Sequence, residues 1–174
     1  NDPPKIELIT DKWPPGNEDE EQVLRGIRIS DDDAVKNSDM IFEVLLSVSH
    51  GALALSNTSS SLNNLIFKTC SSVNGNVYDA GCVCVVGSQD HINTALNDLS
   101  YRPDSNWYGI DILSISVKDL HYGYEFQNSI LSNPHNSNGL REAPETINTI
   151  TRVERDTILT VRAVNDPPTI KVPT

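Results

Sequence analysis

The chain alternates apolar and polar residues over short runs, which is the period of a β-strand with one buried face. In KIELIT, Ile6 and Leu8 alternate with charged residues, and QVLRGIRIS and IFEVLLSVS continue in the same manner. The run IDILSISVK carries an apolar stripe made of Ile110, Ile112, Leu113, Ile115 and Val117. The run TILTVRAV carries another, made of Ile158, Leu159, Val161 and Val164. Because Gly, Asn and Asp separate these runs, the pattern predicts an all-β sandwich or barrel.

One segment, GSQDHINTALNDLSY, follows the period of a helix instead. Its apolar residues fall at i, i+3, i+4 and i+7: Ile92, Ala95, Leu96 and Leu99. Ser88 is a suitable N-cap, and Asp90 would lie near the positive end of the helix dipole. We therefore expect one short helix at about residues 89–99, packed on the edge of the sandwich or closing one end of its core.

Residues 120–155 lose the alternation and are rich in Asn, Ser, Gly and Pro. The composition predicts a long loop inserted between strands, and loops of such length are either functional or mobile. The segment contains an aromatic cluster made of His121, Tyr122, Tyr124 and Phe126. These rings either stack on a sugar or a protein, or anchor the loop to the body of the fold.

The net charge of −11 argues against nucleic acid or an anionic membrane surface as the partner. At 174 residues, one domain is the default expectation, and two small domains are the alternative. No apolar run approaches the roughly 18 residues that a membrane-spanning helix needs. The composition suits either a soluble surface protein or a protein whose carboxylates meet cations.

Three cysteines, Cys70, Cys82 and Cys84, cluster within one segment. One disulfide and one remaining thiol is the simplest interpretation, and it implies an oxidising, extracellular setting. A zinc site that includes His91 is the alternative, although that spacing fits no familiar zinc pattern. The remaining thiol either cross-links to a neighbouring chain or is buried. A glycosylation sequon at Asn57 is compatible with an extracellular location.

Carboxylates concentrate where strands are expected to end. They occur at Glu18 to Glu21, at Asp31 to Asp33, at Asp104 and at Asp119. Each alone suits a turn, since aspartate bonds its own backbone amides there. Strand-end acids collect at the two poles of a sandwich, however, and would repel one another unless a cation lay between them. Their hard oxygen donors favour Ca²⁺ over Mg²⁺.

The tetrapeptide Asn-Asp-Pro-Pro occurs twice, at residues 1–4 and 165–168. Proline fixes its own backbone and extends the residue before it, so each copy is a stiff connector with two oxygen ligands. We expect these copies to be the linkers that enter and leave one repeat of a longer array. Residues 1–168 would then form a single repeat, and residues 169–174 would begin the next one.

Several motifs occur in an order that resembles the cadherin-like tandem repeats of large cell-surface adhesins. They are GIRISDDDA, LLSVSHGALAL, INTALNDLSYRPDSNWYGIDILSISVKD and AVNDPPTI, and together they cover about two thirds of the chain. The resemblance implies an immunoglobulin-like β-sandwich, repeated head to tail and stiffened by Ca²⁺ at the junctions. It implies an extracellular structural or adhesive module without catalysis, whose partners are neighbouring repeats and other surface proteins or glycans.

The same resemblance implies a calcium ligand set at two poles. The leading pole would comprise Asn1, Asp2, Asp31, Asp33 and Asp119. The trailing pole would comprise Glu18, Asp104, Asn165 and Asp166. Asp32 would point to solvent between its neighbours.

A carbohydrate-binding module is the alternative function, using exposed aromatics at Trp107, Tyr108, Tyr122 and Tyr124. Trp107 and Tyr108 also suit a packing position before Gly109. A glycoside hydrolase is a poorer interpretation, because its acid needs an apolar cleft and these carboxylates occupy turn-like contexts.

Overall fold

The protein is described from a computed structural model, which describes residues 2–10, 12–34, 40–55, 60–70, 81–120 and 151–165. Its strands are β1 (Lys5–Leu8), β2 (Gly16–Asn17), β3 (Gln22–Val23), β4 (Ile27–Ser30), β5 (Phe42–Ser47), β6 (Ala52–Leu55), β7 (Ile66–Lys68), β8 (Cys82–Gly87), β9 (Leu99–Arg102), β10 (Gly109–Asp119) and β11 (Arg152–Arg162). A 3₁₀ helix spans Ser60–Asn64, and the α-helix α1 spans Gln89–Leu96. The predicted all-β sandwich with one short helix is confirmed.

The strands form three sheets around one core. The largest has the order β2-β11-β10-β5-β8-β7, a second has the order β3-β9-β6, and β1 pairs with β4. The pairing of β2 with β11 is parallel, and the other strand pairings are antiparallel. We call the large sheet the six-stranded sheet and β3-β9-β6 the three-stranded sheet.

The central strand β10 shows which residues face the core. Its inward positions alternate along the strand as Asp111, Leu113, Ile115, Val117 and Asp119, all buried. The apolar stripe expected from the sequence runs partly on the wrong face, because Ile110 and Ile112 point outward and are exposed. A run with apolar residues at consecutive positions does not reveal its face, since side chains alternate with a period of two.

The helix α1 confirms the prediction for this segment but ends earlier than expected. Ile92, Ala95 and Leu96 are buried, while Leu99 already belongs to β9. The side chain of Asn93 makes two hydrogen bonds to Ile29, donating to its carbonyl (2.9 Å) and accepting from its N–H (2.8 Å). The side-chain amide of Asn93 thus makes the pair of hydrogen bonds that a neighbouring strand would make with Ile29, and it holds α1 at the edge of β4.

The expected loop at residues 120–155 is too long at its C-terminal end. β11 begins at Arg152, and Arg152–Arg155 pair with Ile115–Lys118 of β10. The sequence RVER did not indicate a strand, because the outward residues of this part of β11 are charged. Residues 121–150, with the predicted aromatic cluster, lie outside the described residues.

Candidate functional site

Asp31 follows the end of β4 and is the most deeply buried carboxylate of the acidic turn, with a relative exposure of 1%. Its Oδ1 atom accepts hydrogen bonds from the N–H groups of Asp33 (2.8 Å) and Ala34 (3.3 Å). Its own N–H donates to the side chain of Gln89 (2.8 Å). Its Oδ2 atom is buried and has no hydrogen-bond partner among the described residues. A buried carboxylate oxygen without a partner is costly, so this atom is the most unusual polar group of the described fold.

The turn around Asp31 also gathers the start of the chain. The Oδ2 atom of Asp33 accepts a hydrogen bond from the N–H of Asp2 (3.0 Å). Asp32 faces solvent and forms an ion pair with Lys5 (2.9 Å), which raises the pKa of that lysine. Three residues predicted at the leading pole, Asp2, Asp31 and Asp33, are therefore neighbours in space.

The remaining residues predicted at the leading pole are Asp119 and Asn1. Asp119 ends β10, is fully buried, and donates its backbone N–H to the carbonyl of Thr151 (3.0 Å). The Oγ1 atom of Thr151 is the second buried polar side-chain atom without a partner in the described ranges. No group of three His, Cys, Asp or Glu side chains positioned to hold a metal ion occurs within those ranges. Asn1 lies outside them.

At the trailing pole, Glu18 holds the end of β11. It is buried, its Oε1 atom accepts a hydrogen bond from the N–H of Val164, and its own N–H donates to the carbonyl of Arg162 (2.9 Å). This brings Glu18 next to the predicted linker residue Asn165. Asp104 is exposed, and its backbone carbonyl accepts a hydrogen bond from the N–H of Trp107 (3.0 Å). Asp166 lies outside the described residues.

Sequence reasoning missed a second buried aspartate, Asp111, whose relative exposure is 2%. Its Oδ1 atom accepts from the N–H groups of Ser49 (3.0 Å) and Ile112 (2.8 Å). Its Oδ2 atom accepts from the N–H of His50 (2.9 Å) and the hydroxyl of Tyr101 (3.1 Å). The carboxylate thus fixes the turn after β5. An aspartate at an inward position of an otherwise apolar strand is the signal that would have revealed it.

Tyr101 is completely buried next to this carboxylate. Its hydroxyl also contacts the carbonyl oxygen of His50 (2.7 Å). Burial, followed by the charge and the hydrogen bond of Asp111, raises the pKa of Tyr101 above its ordinary value. The phenol therefore remains protonated and continues to donate at any physiological pH.

The aromatic residues of the carbohydrate alternative differ in accessibility. Trp107 is half-buried, stacks on the ring of His50 with centroids 4.5 Å apart, and covers Gly109. Gly109 adopts a positive φ of 148°, which a larger residue rarely adopts. Tyr108 is exposed. Tyr122 and Tyr124 lie outside the described residues, as does the predicted glycosylation site at Asn57.

The predicted disulfide is confirmed and joins Cys70 to Cys82. These residues connect the end of β7 to the start of β8. Cys84 is a buried free thiol, as one of the two alternatives for the third cysteine anticipated. Burial, and secondarily the charge of Glu43, raises the pKa of the Cys84 thiol, which makes it less reactive.

Comparison with known proteins gives one match. The family model described as the Protein GAMETE EXPRESSED 2 domain matches residues 25–125, which include the strands from β4 to β10. Neither a curated protein nor a solved structure matches the chain.

The resemblance to cadherin-like repeats is therefore wrong, because the family model that matches is of another family. The motifs that suggested it are strand-end aspartates and glycine turns. The geometry of a β-sandwich favours such residues whatever the ancestry of the chain. Short motifs of this type therefore indicated the fold correctly and the family incorrectly.

The Cys70–Cys82 disulfide lies inside the matched span, and disulfides persist mainly in oxidising compartments. The α-helix of the described ranges has eight residues, and no helix there is long and apolar enough to cross a bilayer. Together, the disulfide and the match indicate a secreted or cell-surface protein. Since the match covers more than half of its residues, the chain belongs to the Protein GAMETE EXPRESSED 2 domain family.

Proposed function

We propose that the chain is an extracellular binding module of a gamete protein, structural or adhesive in its role and without catalysis. The observation that carries this proposal is the family match across residues 25–125, with the disulfide inside it. A disulfide-linked sandwich presents rigid surfaces to partners, and rigid surfaces bind without a large entropic cost.

The proposal is tested by adding the fluorescently labelled chain to gametes and to somatic cells of the same organism. We expect saturable binding to gametes that an excess of unlabelled chain displaces. Equal binding to both cell types, or none to gametes, would contradict the proposal.

The module would also bind Ca²⁺ at the turn around Asp31. The Oδ2 atom of Asp31 supports this proposal, because a cation would satisfy the charge of a buried oxygen that has no described partner. Asp33, held close by the N–H of Asp2, would supply a second carboxylate, and backbone carbonyls or water would complete the shell. A bound ion would tie the start of the chain to the end of β4 and stiffen that pole.

Calcium binding is tested by isothermal titration of the intact chain and of two single variants. Asp31→Asn should abolish the binding heat. Asp32→Asn is the matched control, because it removes the same charge one residue away at an exposed position. Loss of binding in both variants would contradict a specific role for Asp31.

Carbohydrate binding remains the second candidate, and the exposure of Tyr108 is the observation that favours it. An exposed ring can stack on a sugar face, whereas Trp107 is already engaged with His50. A glycan array on which Tyr108→Ala binds as the wild type does, or on which nothing binds, would remove this candidate.

A further inference from the structure

The strand β7 closes one edge of the six-stranded sheet and is only three residues long. Three register pairs join β7 to β8, whereas six pairs join β8 to β5 on its other side. All three residues of β7 are exposed, and the relative exposures of Ile66 and Phe67 are 43% and 57%. Since the side chains of β7 bury little apolar surface, packing alone does not hold this strand on the sheet.

The chain is anchored immediately before β7. Leu65 is buried in the core, and its N–H donates to the carbonyl of Leu62 (3.1 Å). The side chain of Leu65 packs against Gly87, where a Cβ atom would lie only 2.5 Å from the Cδ2 atom of Leu65. Leu65 is therefore a fixed point, from which the chain between Ile66 and Cys70 can leave the sheet without opening the core.

Two contacts hold the rest of this segment on the sheet. Cys70 is bonded to Cys82, the first residue of β8, and the two Cα atoms are 6.2 Å apart. Lys68 forms an ion pair with Glu43, and this pair reaches from β7 over β8 to β5. Ion pairs between partly exposed side chains stabilise little, whereas a disulfide strongly limits the separation of the segments that it joins. The disulfide is therefore the main clamp on β7.

The free thiol of Cys84 lies beneath these two contacts. Cys84 and Lys68 are register partners, so their side chains share one face of the sheet. Because Val85 belongs to the core, this shared face is the outward one. Cys84 is nevertheless buried, and burial raises the pKa of its thiol, while the charge of Glu43 raises it further and that of Lys68 lowers it. Cys84 is thus an outward-facing thiol that β7 and its ion pair cover.

We infer that the Cys70–Cys82 disulfide is a redox lock, which keeps β7 on the sheet and Cys84 covered. A dithiol reductant opens the lock by thiol–disulfide exchange. Two electrons and two protons pass from the reductant, which becomes a disulfide, to Cys70 and Cys82, which become thiols. The segment from Ile66 to Cys70 then separates from β8, with Leu65 as its hinge. Twelve positions separate Cys70 from Cys82, and a disulfide that closes a loop of this size shifts such an opening equilibrium by roughly a hundredfold.

The locked and the open state differ in what they present to a partner. In the locked state, β7 pairs with the edge of β8, and the short length of β7 and its lysine are typical of a protected sheet edge. In the open state, one backbone edge of β8 is unpaired beside an accessible Cys84 thiol, which solvation makes more reactive. Reduction thus turns an inert edge of the sheet into a reactive one. The lock goes beyond the proposed function, because it needs neither a gamete partner nor Ca²⁺.

The lock is tested by the rate at which N-ethylmaleimide alkylates Cys84, measured by mass spectrometry. Cys84 is the free cysteine of the oxidised wild type and the remaining cysteine of the double variant Cys70→Ser/Cys82→Ser. We expect the double variant to be labelled about a hundredfold faster. Equal rates in the two proteins would overturn the inference.

Amide hydrogen exchange of both proteins separates local opening from global unfolding. In the double variant, exchange should be faster in β8 and unchanged in β10 and β11. Faster labelling of Cys84 together with lost protection in β10 would mean that the whole sheet opens, and it would also overturn the inference.

Single variants distinguish the disulfide from the ion pair. Glu43→Gln and Lys68→Gln break the ion pair and keep the disulfide, so each should change the labelling rate by no more than about threefold. Lys5→Gln is the matched control, because it breaks an ion pair between exposed side chains in another part of the fold, and it should leave the rate unchanged. A larger effect of Lys68→Gln than of the double variant would assign the clamp to the ion pair and contradict a redox lock.

Reduction of the wild type tests the same lock without a substitution. During treatment with dithiothreitol, Cys84 should become labelled together with Cys70 and Cys82, while the amides of β10 stay protected. A Cys84 that stays unlabelled after Cys70 and Cys82 have reacted would show that β7 does not depend on the disulfide.

Discussion

Two buried aspartates of this protein, Asp111 and Asp31, have opposite hydrogen-bonding states. Asp111 accepts four hydrogen bonds, three from backbone N–H groups and one from Tyr101. Asp31 uses one oxygen for two backbone N–H groups, and its other oxygen has no described partner. Both carboxylates lie beside turns next to strands, and both are almost inaccessible to solvent.

Asp111 is therefore a structural carboxylate, whereas Asp31 is a candidate metal ligand. Burial of a charge is tolerated when hydrogen bonds replace the lost water, which Asp111 achieves through both oxygens. Among the described residues, Asp31 achieves this only through Oδ1, so its Oδ2 atom is open to a group outside the described ranges. Removing the charge of Asp31 should therefore abolish the stabilisation by added Ca²⁺, whereas the effect of removing the charge of Asp111 should not depend on Ca²⁺.

The largest effect is expected for Asp111→Ala. The substitution would leave three backbone N–H groups without their acceptor and would remove one of the two acceptors of the buried Tyr101 hydroxyl. We therefore expect a loss of more than about 3 kcal/mol in the free energy of unfolding. Urea denaturation followed by circular dichroism measures this loss. The loss should be the same with and without Ca²⁺, and a loss below about 1 kcal/mol would contradict the structural role of Asp111.

A smaller loss is expected for Tyr101→Phe, which removes one donor from the same carboxylate and keeps the packing of the ring. We expect a loss of about 1 to 2 kcal/mol in the free energy of unfolding, since the other three hydrogen-bond donors to Asp111 remain. Leu99→Ala on the same strand would be a poor control, because it opens a cavity. Tyr108→Phe is the matched control, since its hydroxyl has no hydrogen bond in the described fold and its loss should cost nothing measurable.

The raised pKa of Tyr101 predicts a dependence on alkaline pH. A tyrosine whose pKa is raised by folding stabilises the native state fully below its unfolded value of 10.0, and this contribution is lost as the pH rises above it. The free energy of unfolding should therefore decline above about pH 10 in the wild type. Tyr101→Phe should decline less steeply over the same range. Identical slopes for the two proteins would show that Tyr101 is not the group responsible.

The smallest effect is expected for Asp31→Asn in the absence of Ca²⁺. The amide keeps the Oδ1 acceptor and removes a buried charge, so stability should stay within about 1 kcal/mol of the wild type or increase. Chemical denaturation in the presence of a chelator measures it. A loss as large as that of Asp111→Ala would mean that Asp31 is a structural carboxylate as well.

The sequence predicted the strands and the helix because both depend on local periodicity. It did not predict the inward position of Asp111 or the outward positions of Ile110 and Ile112, since a run of mixed residues fits either register. It predicted that two of three cysteines pair but left the partners open, because the choice depends on the pairing of β7 with β8. The sequence correctly predicted that Asp31, Asp32 and Asp33 follow the end of a strand. Only the fold shows that Asp31 is buried while Asp32 is exposed.

The most direct test of the account is the effect of Ca²⁺ on thermal unfolding of the wild type, Asp31→Asn and Asp32→Asn. A ligand that binds only the folded state stabilises it by about 2.7 kcal/mol at one hundred times its dissociation constant. We expect millimolar Ca²⁺, compared with a chelator, to raise the Tm of the wild type and of Asp32→Asn but not that of Asp31→Asn. Equal shifts in all three proteins, or no shift in the wild type, would contradict the assignment of Asp31 as a calcium ligand.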